Sequence, residues 1–214
     1  MRRLLTSRVT RVTVFMACLG PLEYLGWRGL NKDLTANPIE FITHLTGDWT
    51  LCFLLITLAV TPLRLLLRLP ELIRFRRMLG LFAFSYGVLH LITFVAIDHF
   101  FDWSEIVKDV VKRPFVTAGF TGMVLLVPLA VTSTRGWIRR LGGERWQALH
   151  RLVYLSSVAG VIHYCWLVKS DVSKPIEYGI GLAALLVWRV IVWAKRHRAA
   201  SQVTSTIAAA EMSD

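Results

Sequence analysis

The stretch LGLFAFSYGVLHLITFVAI, residues 79–97, runs for nineteen residues without a formal charge. As a helix it would span roughly 30 Å, the thickness of the hydrocarbon core of a bilayer. Its apolar residues are continuous rather than alternating, and a chain crossing lipid must satisfy its backbone internally, so this block reads as a transmembrane helix. One polar ring, His90, sits inside it.

Five further blocks of the same kind flank it, at residues 9–27, 49–67, 115–132, 150–168 and 176–194. The 214-residue chain is 55% hydrophobic, with a mean hydropathy of +0.53. The pattern predicts an all-α polytopic membrane helix bundle of about six transmembrane helices. Pro62 and Pro128 fall at the ends of their blocks and are expected to kink them. Residues 98–114 carry Trp103, Ile106, Val107, Val110 and Val111 in an amphipathic order suited to lying flat on the membrane. Residues 1–198 read as one membrane domain, with no internal repeat, and 199–214 as a small, polar, disordered tail.

The net charge of +11 could suggest nucleic acid. Its distribution argues otherwise. Eighteen of the 25 Lys and Arg lie before residue 12, at 64–77, at 133–151 and at 189–198, on alternate connections. The intervening connections hold most of the acids, among them Asp33, Glu40, Asp48, Asp98, Glu105 and Asp109. This is the positive-inside pattern, and it predicts both termini in the cytoplasm. Arg189, within the last block, is expected to snorkel to the inner face. Cys18, Cys52 and Cys165 are scattered through apolar blocks and read as packing residues rather than a disulfide or metal set.

Six histidines occur. His44, His99 and His197 lie outside the blocks and read as surface residues. His90 is about twelve residues into the third block, and His163 thirteen residues after His150 in the fifth. Those two blocks run in the same direction, so both rings reach one depth in the outer half of the membrane. Two imidazoles at one depth on neighbouring helices can hold one haem iron from both faces. They can also be interhelical hydrogen bonders. His150 lies at the inner end and has Arg77, not histidine, at the position matching it in the third block. It could ligate a second haem weakly, line a flavin or quinone site, or cap its helix. Gly87 and Gly160, each three residues before its histidine, would leave space for a flat macrocycle on the histidine's face. Arg74, Arg76 and Arg77 read as topology determinants or as an anion site for a flavin phosphate or a haem propionate.

Several segments carry a family resemblance: His44-Leu-Thr-Gly47, Leu58-Ala-Val-Thr-Pro-Leu63, Arg74-Phe-Arg-Arg-Met-Leu-Gly80, Thr132-Ser-Thr134, Arg145-Trp-Gln-Ala-Leu-His-Arg-Leu-Val-Tyr154 and Ile162-His-Tyr-Cys-Trp166. With them the chain resembles the MsrQ (YedZ) family, the haem-binding membrane subunits of bacterial periplasmic methionine sulfoxide reductase systems. More distantly it resembles the ferric reductase and NADPH oxidase membrane domains. The resemblance implies His90, His150 and His163 as the haem-associated set, haem b and FMN as cofactors, and the bacterial inner membrane as the location. It further implies electrons from membrane quinones, and an MsrP-like periplasmic molybdopterin catalytic subunit as the partner that reduces methionine sulfoxide in oxidised proteins. The chain departs from the ferric reductases in lacking their four-histidine set. About twenty residues follow the sixth block, too few for a flavin and nicotinamide domain, so the electron donor is expected to be another protein or a membrane-soluble carrier. Two rival readings, a small transporter with titrating histidines and a non-redox membrane anchor for a soluble enzyme, both predict colourless protein.

Overall fold

The computed structural model describes the backbone of residues 5–168 and 171–211, and the side chains of these residues except 196, 197 and 199–211. All six apolar blocks are helical. In chain order the helices are α1 (Arg8–Leu30), α2 (Pro38–Leu66), α3 (Ile73–Ile92, continuing through a wider π-helical turn, Thr93–Asp98), α4 (Trp103–Lys112), α5 (Pro114–Val131), α6 (Arg135–Leu141), α7 (Gly143–His150), α8 (Leu152–Leu167) and α9 (Ser173–Glu211). No strand occurs among the described residues.

The helix starts follow local chemistry. The Ser7 hydroxyl accepts the Thr10 N–H at 3.0 Å ahead of α1. The Asp102 carboxylate accepts the N–H groups of Ser104 and Glu105 ahead of α4. Pro38 and Pro114 occupy first-turn positions, where their missing N–H is harmless.

Four helical stretches have the length and apolarity of a membrane span: Pro38–Leu66, Pro70–Asp98, Pro114–Val131 and Ser173–Lys195. Helix α1, which holds the first block, is diluted by Arg8, Arg11, Glu23 and Arg28. The fifth block yields only the 16 residues of α8, but α7 leads into it with one residue between. The tail expected to be disordered from Ala199 is helical backbone as far as Glu211, while residues 212–214 and the His197 side chain lie outside the described ones.

The bundle is organised as two tightly packed helical hairpins, α2 with α3 and α5 with α8, which touch one another far less. Within the first, Phe53 stacks obliquely on Phe82 and Tyr86, with ring centres 5.8 and 5.2 Å apart. The fully buried Tyr86 donates its hydroxyl to Cys18 O at 2.9 Å, which fastens α1 to α3. Within the second, the buried Ser156 hydroxyl donates to Gly122 O at 2.8 Å. Large apolar side chains such as Phe120, Val124, Leu155, Ile180 and Val190 face outward, as lipid contact requires.

Two expectations change. Arg189 does not snorkel: its Nη2 donates to Leu58 O at 2.9 Å and its Nη1 to the Tyr154 hydroxyl at 2.6 Å. The reason is Pro62, which has no N–H to give to the carbonyl four residues back, so Leu58 O needs another donor. His99 is not a free surface residue. Its Nε2 lies 3.1 Å from Asp109 Oδ2, and Arg113 Nη1 also lies 3.1 Å from that oxygen, so a buried carboxylate ties α4 to the end of α3.

Tyr86→Phe should lower stability by about 1 kcal/mol, the net worth of one buried hydrogen bond. Thermal unfolding in detergent checks this, with a drop of a few degrees expected.

Candidate functional site

The space between the two hairpins is a cavity of ≈ 320 Å³. Leu54, Met123, Leu126 and Ser156 line its deeper part, and His44, Asp48, Asp98 and Arg113 its other end. His90 enters from α3 and His163 from α8, with ring centres 6.1 Å apart and planes at 80°.

Each ring is held the same way. His90 Nδ1 lies 3.0 Å from Thr43 O on α2, and His163 Nδ1 lies 2.6 Å from Phe115 O on α5. A carbonyl oxygen can only accept, so each Nδ1 carries the proton and donates it. Each Nε2 is left as a bare lone pair, the form in which imidazole binds metal. Backbone carbonyls that orient the distal nitrogen of a histidine are the usual support of a metal-ligating ring.

Glycine makes both contacts possible. Four residues after Thr43 stands Gly47, where a Cβ would meet His90 Nδ1 and Cε1 at 3.2 Å. Four residues after Phe115 stands Gly119, where a Cβ would meet His163 Nδ1 at 2.7 Å. The two hairpins are therefore equivalent half-sites: a carbonyl, then a glycine four residues on, then a histidine on the returning helix. The carbonyl-to-histidine separation is 47 residues in the first and 48 in the second. Gly87 and Gly160, singled out from the sequence, also line the cavity, but a Cβ there would meet Met123 Sδ at 3.1 Å and Leu51 Cδ2 at 2.8 Å respectively, not the histidines. Gly47 lies in a quoted segment of the sequence without its role being visible there. Gly119 is one of several glycines in the apolar blocks that the sequence marks as allowing close helix approach, but which ring it meets is set by the register of the hairpin.

The structure thus brings His90 and His163 together and leaves His150 apart. His150 Nε2 lies 3.1 Å from the Thr132 hydroxyl, and its ring stacks on Trp146 at 3.9 Å between centres. Trp146 Nε1 in turn donates to Thr132 O at 2.9 Å. His44 is partly exposed near Glu40, at 3.8 Å, while reaching the cavity wall. Among the described residues no group of three or more His, Cys, Asp or Glu side chains could hold a metal ion. Two imidazoles under-ligate a bare ion, so the pair suits a metal that brings its own remaining ligands.

Residues 43–161 match the family described as "Ferric reductase like transmembrane component", and this fixes the class of the fold. Curated relatives narrow it. The "Protein-methionine-sulfoxide reductase heme-binding subunit MsrQ" of Herminiimonas arsenicoxydans is 56% identical over 188 residues, 86% of each chain. The proteins of the same description from Caulobacter vibrioides and Rhodospirillum rubrum are each 52% identical, covering 87% and 90% of this chain and 88% and 92% of their own lengths. The chain belongs to the MsrQ family.

Replacing a mid-helix glycine by alanine gains about 1 kcal/mol of helix propensity, whereas overpacking costs about 1–3 kcal/mol. Gly119→Ala, with its 2.7 Å approach to a hydrogen-bonded ring, should therefore be destabilising. Gly47→Ala should be close to neutral. Gly20→Ala, which meets nothing within 4 Å, should be stabilising. Thermal midpoints of the three variants in one detergent test this order.

Proposed function

We propose that this protein is a haem b subunit that carries electrons across the bacterial inner membrane, with His90 and His163 as the axial ligands of one haem. The observation that carries the reading is the pair of facing imidazoles with both Nδ1 protons committed to backbone carbonyls. Metal–imidazole bonds of about 2 Å on each side of an iron separate the ring centres by roughly 6 Å, and the rings here stand at 6.1 Å. Among the described residues no third His, Cys, Asp or Glu side chain joins the pair in a metal-holding group, which suits a macrocycle that supplies four nitrogens of its own. The glycines keep the ring supports close, and the apolar wall formed by residues such as Leu54, Met123 and Leu126 keeps water from the metal.

A haem held by His90 and His163 would supply the one-electron chemistry. The chain itself positions it and sets its dielectric and hydrogen bonding, which tune the potential. The positive-inside count places both termini in the cytoplasm and puts the histidine pair toward the periplasm. In keeping with the names of the relatives, the acceptor is a methionine sulfoxide reductase catalytic subunit, an MsrP-like periplasmic molybdoenzyme, which docks at the acidic outer connections. Electrons come from membrane quinones, with FMN as an intermediate carrier. His150, held between Thr132 and Trp146, belongs to the intake side of this path rather than to the outer haem.

Purified protein should show a reducible b-type spectrum. His90→Ala and His163→Ala should each abolish it, and the spectrum surviving unchanged in both would contradict the ligand assignment. His150→Ala should keep the outer haem and lose its reduction by quinol, as followed by stopped-flow absorbance.

A further inference from the structure

Four ionisable side chains line the outer end of the cavity: His44, Asp48, Asp98 and Arg113. They are not equally screened. Side-chain exposure is 41% for His44, 56% for Asp98 and 57% for Arg113, but 21% for Asp48. Asp98 and Arg113 are also engaged elsewhere, with His99 at 3.4 Å and Asp109 at 3.1 Å. A charge shielded from water acts more strongly on its surroundings than one bathed in it, so of the four Asp48 contributes most to the field inside the cavity. It follows Gly47, the glycine whose missing side chain lets His90 approach α2. Its carboxylate lies within electrostatic range of that ring.

Packing does not explain this acid. Among the described residues its one ion partner is Lys174 of α9, at 3.5 Å and itself 66% exposed. Tyr178, four residues on and so on the same face of α9, donates to the Asp48 backbone oxygen at 3.3 Å rather than to the carboxylate. From α8 the buried Tyr164, next to His163, is electrostatically coupled to the same carboxylate. An ion pair with an exposed lysine at that length is worth little stability, whereas an acid inside a membrane helix is costly and marks function by default. The Tyr178 contact already ties α9 to α2 here and would survive with asparagine in place of Asp48. What the carboxylate adds is a poorly compensated negative charge on the wall of the histidine cavity.

We infer that Asp48 lowers the reduction potential of the iron held by His90 and His163, and that Lys174 limits how far. The inference rests on the haem reading given above. An iron held there carries one more positive charge when oxidised than when reduced, so a fixed anion nearby favours the oxidised form. Unit charges on the order of 10 Å apart, at an effective dielectric of about 20, change an equilibrium by roughly tenfold. For a station that delivers electrons outward, a lower potential makes delivery more favourable. Asp48 does this through its field, without touching the metal.

The test is an anaerobic potentiometric titration of the full-length, haem-loaded protein in a non-ionic detergent, followed by the b-type absorbance bands. Asp48→Asn keeps the shape and removes the charge. It should raise the midpoint so that the reduced-to-oxidised ratio at a fixed poise grows about tenfold, or about 59 mV for one electron. Asp48→Glu should stay near the wild type. Asp98→Asn, at a more exposed position, should shift the midpoint less. Lys174→Gln, by freeing the carboxylate, should shift it the other way. The low-spin paramagnetic resonance spectrum of Asp48→Asn should match the wild type, since a field effect leaves both axial rings in place. Should Asp48→Asn misfold, as judged by size-exclusion elution, Lys174→Gln decides. A wild type without a b-type spectrum removes the haem reading and this inference with it. A normal spectrum with a midpoint unmoved or lowered in Asp48→Asn overturns this inference alone. So does a shift in Asp48→Glu or Asp98→Asn as large as that in Asp48→Asn, or a changed low-spin spectrum in Asp48→Asn.

Discussion

A histidine proton given to a helix carbonyl, once in each hairpin, is the constraint around which this bundle is arranged. An imidazole inside a membrane protein is expensive unless both nitrogens are accounted for. Thr43 O and Phe115 O satisfy one nitrogen of each ring and in doing so fix the tautomer, the ring plane and the direction of the other nitrogen. A carbonyl within a helix is reachable from a neighbouring helix only where no side chain covers it. Gly47 and Gly119 clear that path, and so set how closely α3 approaches α2 and α8 approaches α5. The cavity follows from this. Each hairpin closes tightly on itself around its own carbonyl and histidine, and the gap is left between the hairpins.

The repetition of the half-site also explains how two separate hairpins bring their rings to within 6.1 Å of each other. If each histidine is held by the same device at nearly the same separation along the chain, their meeting comes from the construction of each hairpin and needs no long-range adjustment. Other nonlocal ties then lock the frame. Tyr86 to Cys18 O and Ser156 to Gly122 O join elements far apart in sequence, and the His99–Asp109–Arg113 clamp ties α4 to the end of α3. The Pro62–Leu58–Arg189 arrangement does the same at the opposite end, where a carbonyl freed by proline in one helix is taken up by an arginine from another.

How much of this was legible in the amino-acid order depends on range. The helical blocks were plain, because lipid demands long uninterrupted apolar runs. So was the meeting of His90 with His163, because both count from arginine-rich starts on helices running the same way. Membership of the MsrQ family was readable from segments such as that around His150. The supports of the histidines were not, since which carbonyl a ring meets depends on hairpin register. The same holds for Arg189, whose partner was fixed by a proline more than a hundred residues earlier, and for His99, whose carboxylate lies on a helix that folds back beneath it. The equivalence of the two hairpins was hidden because it resides in backbone carbonyls and glycines rather than in similar side chains.

Electron paramagnetic resonance of the oxidised, purified protein tests the central claim most directly. Two imidazoles bound to one ferric iron enforce a low-spin state, and ring planes near the observed 80° give the strongly anisotropic low-spin signal of perpendicular axial ligands. That signal is what the account predicts. A dominant high-spin ferric signal, meaning an iron lacking one of the two rings, would contradict it.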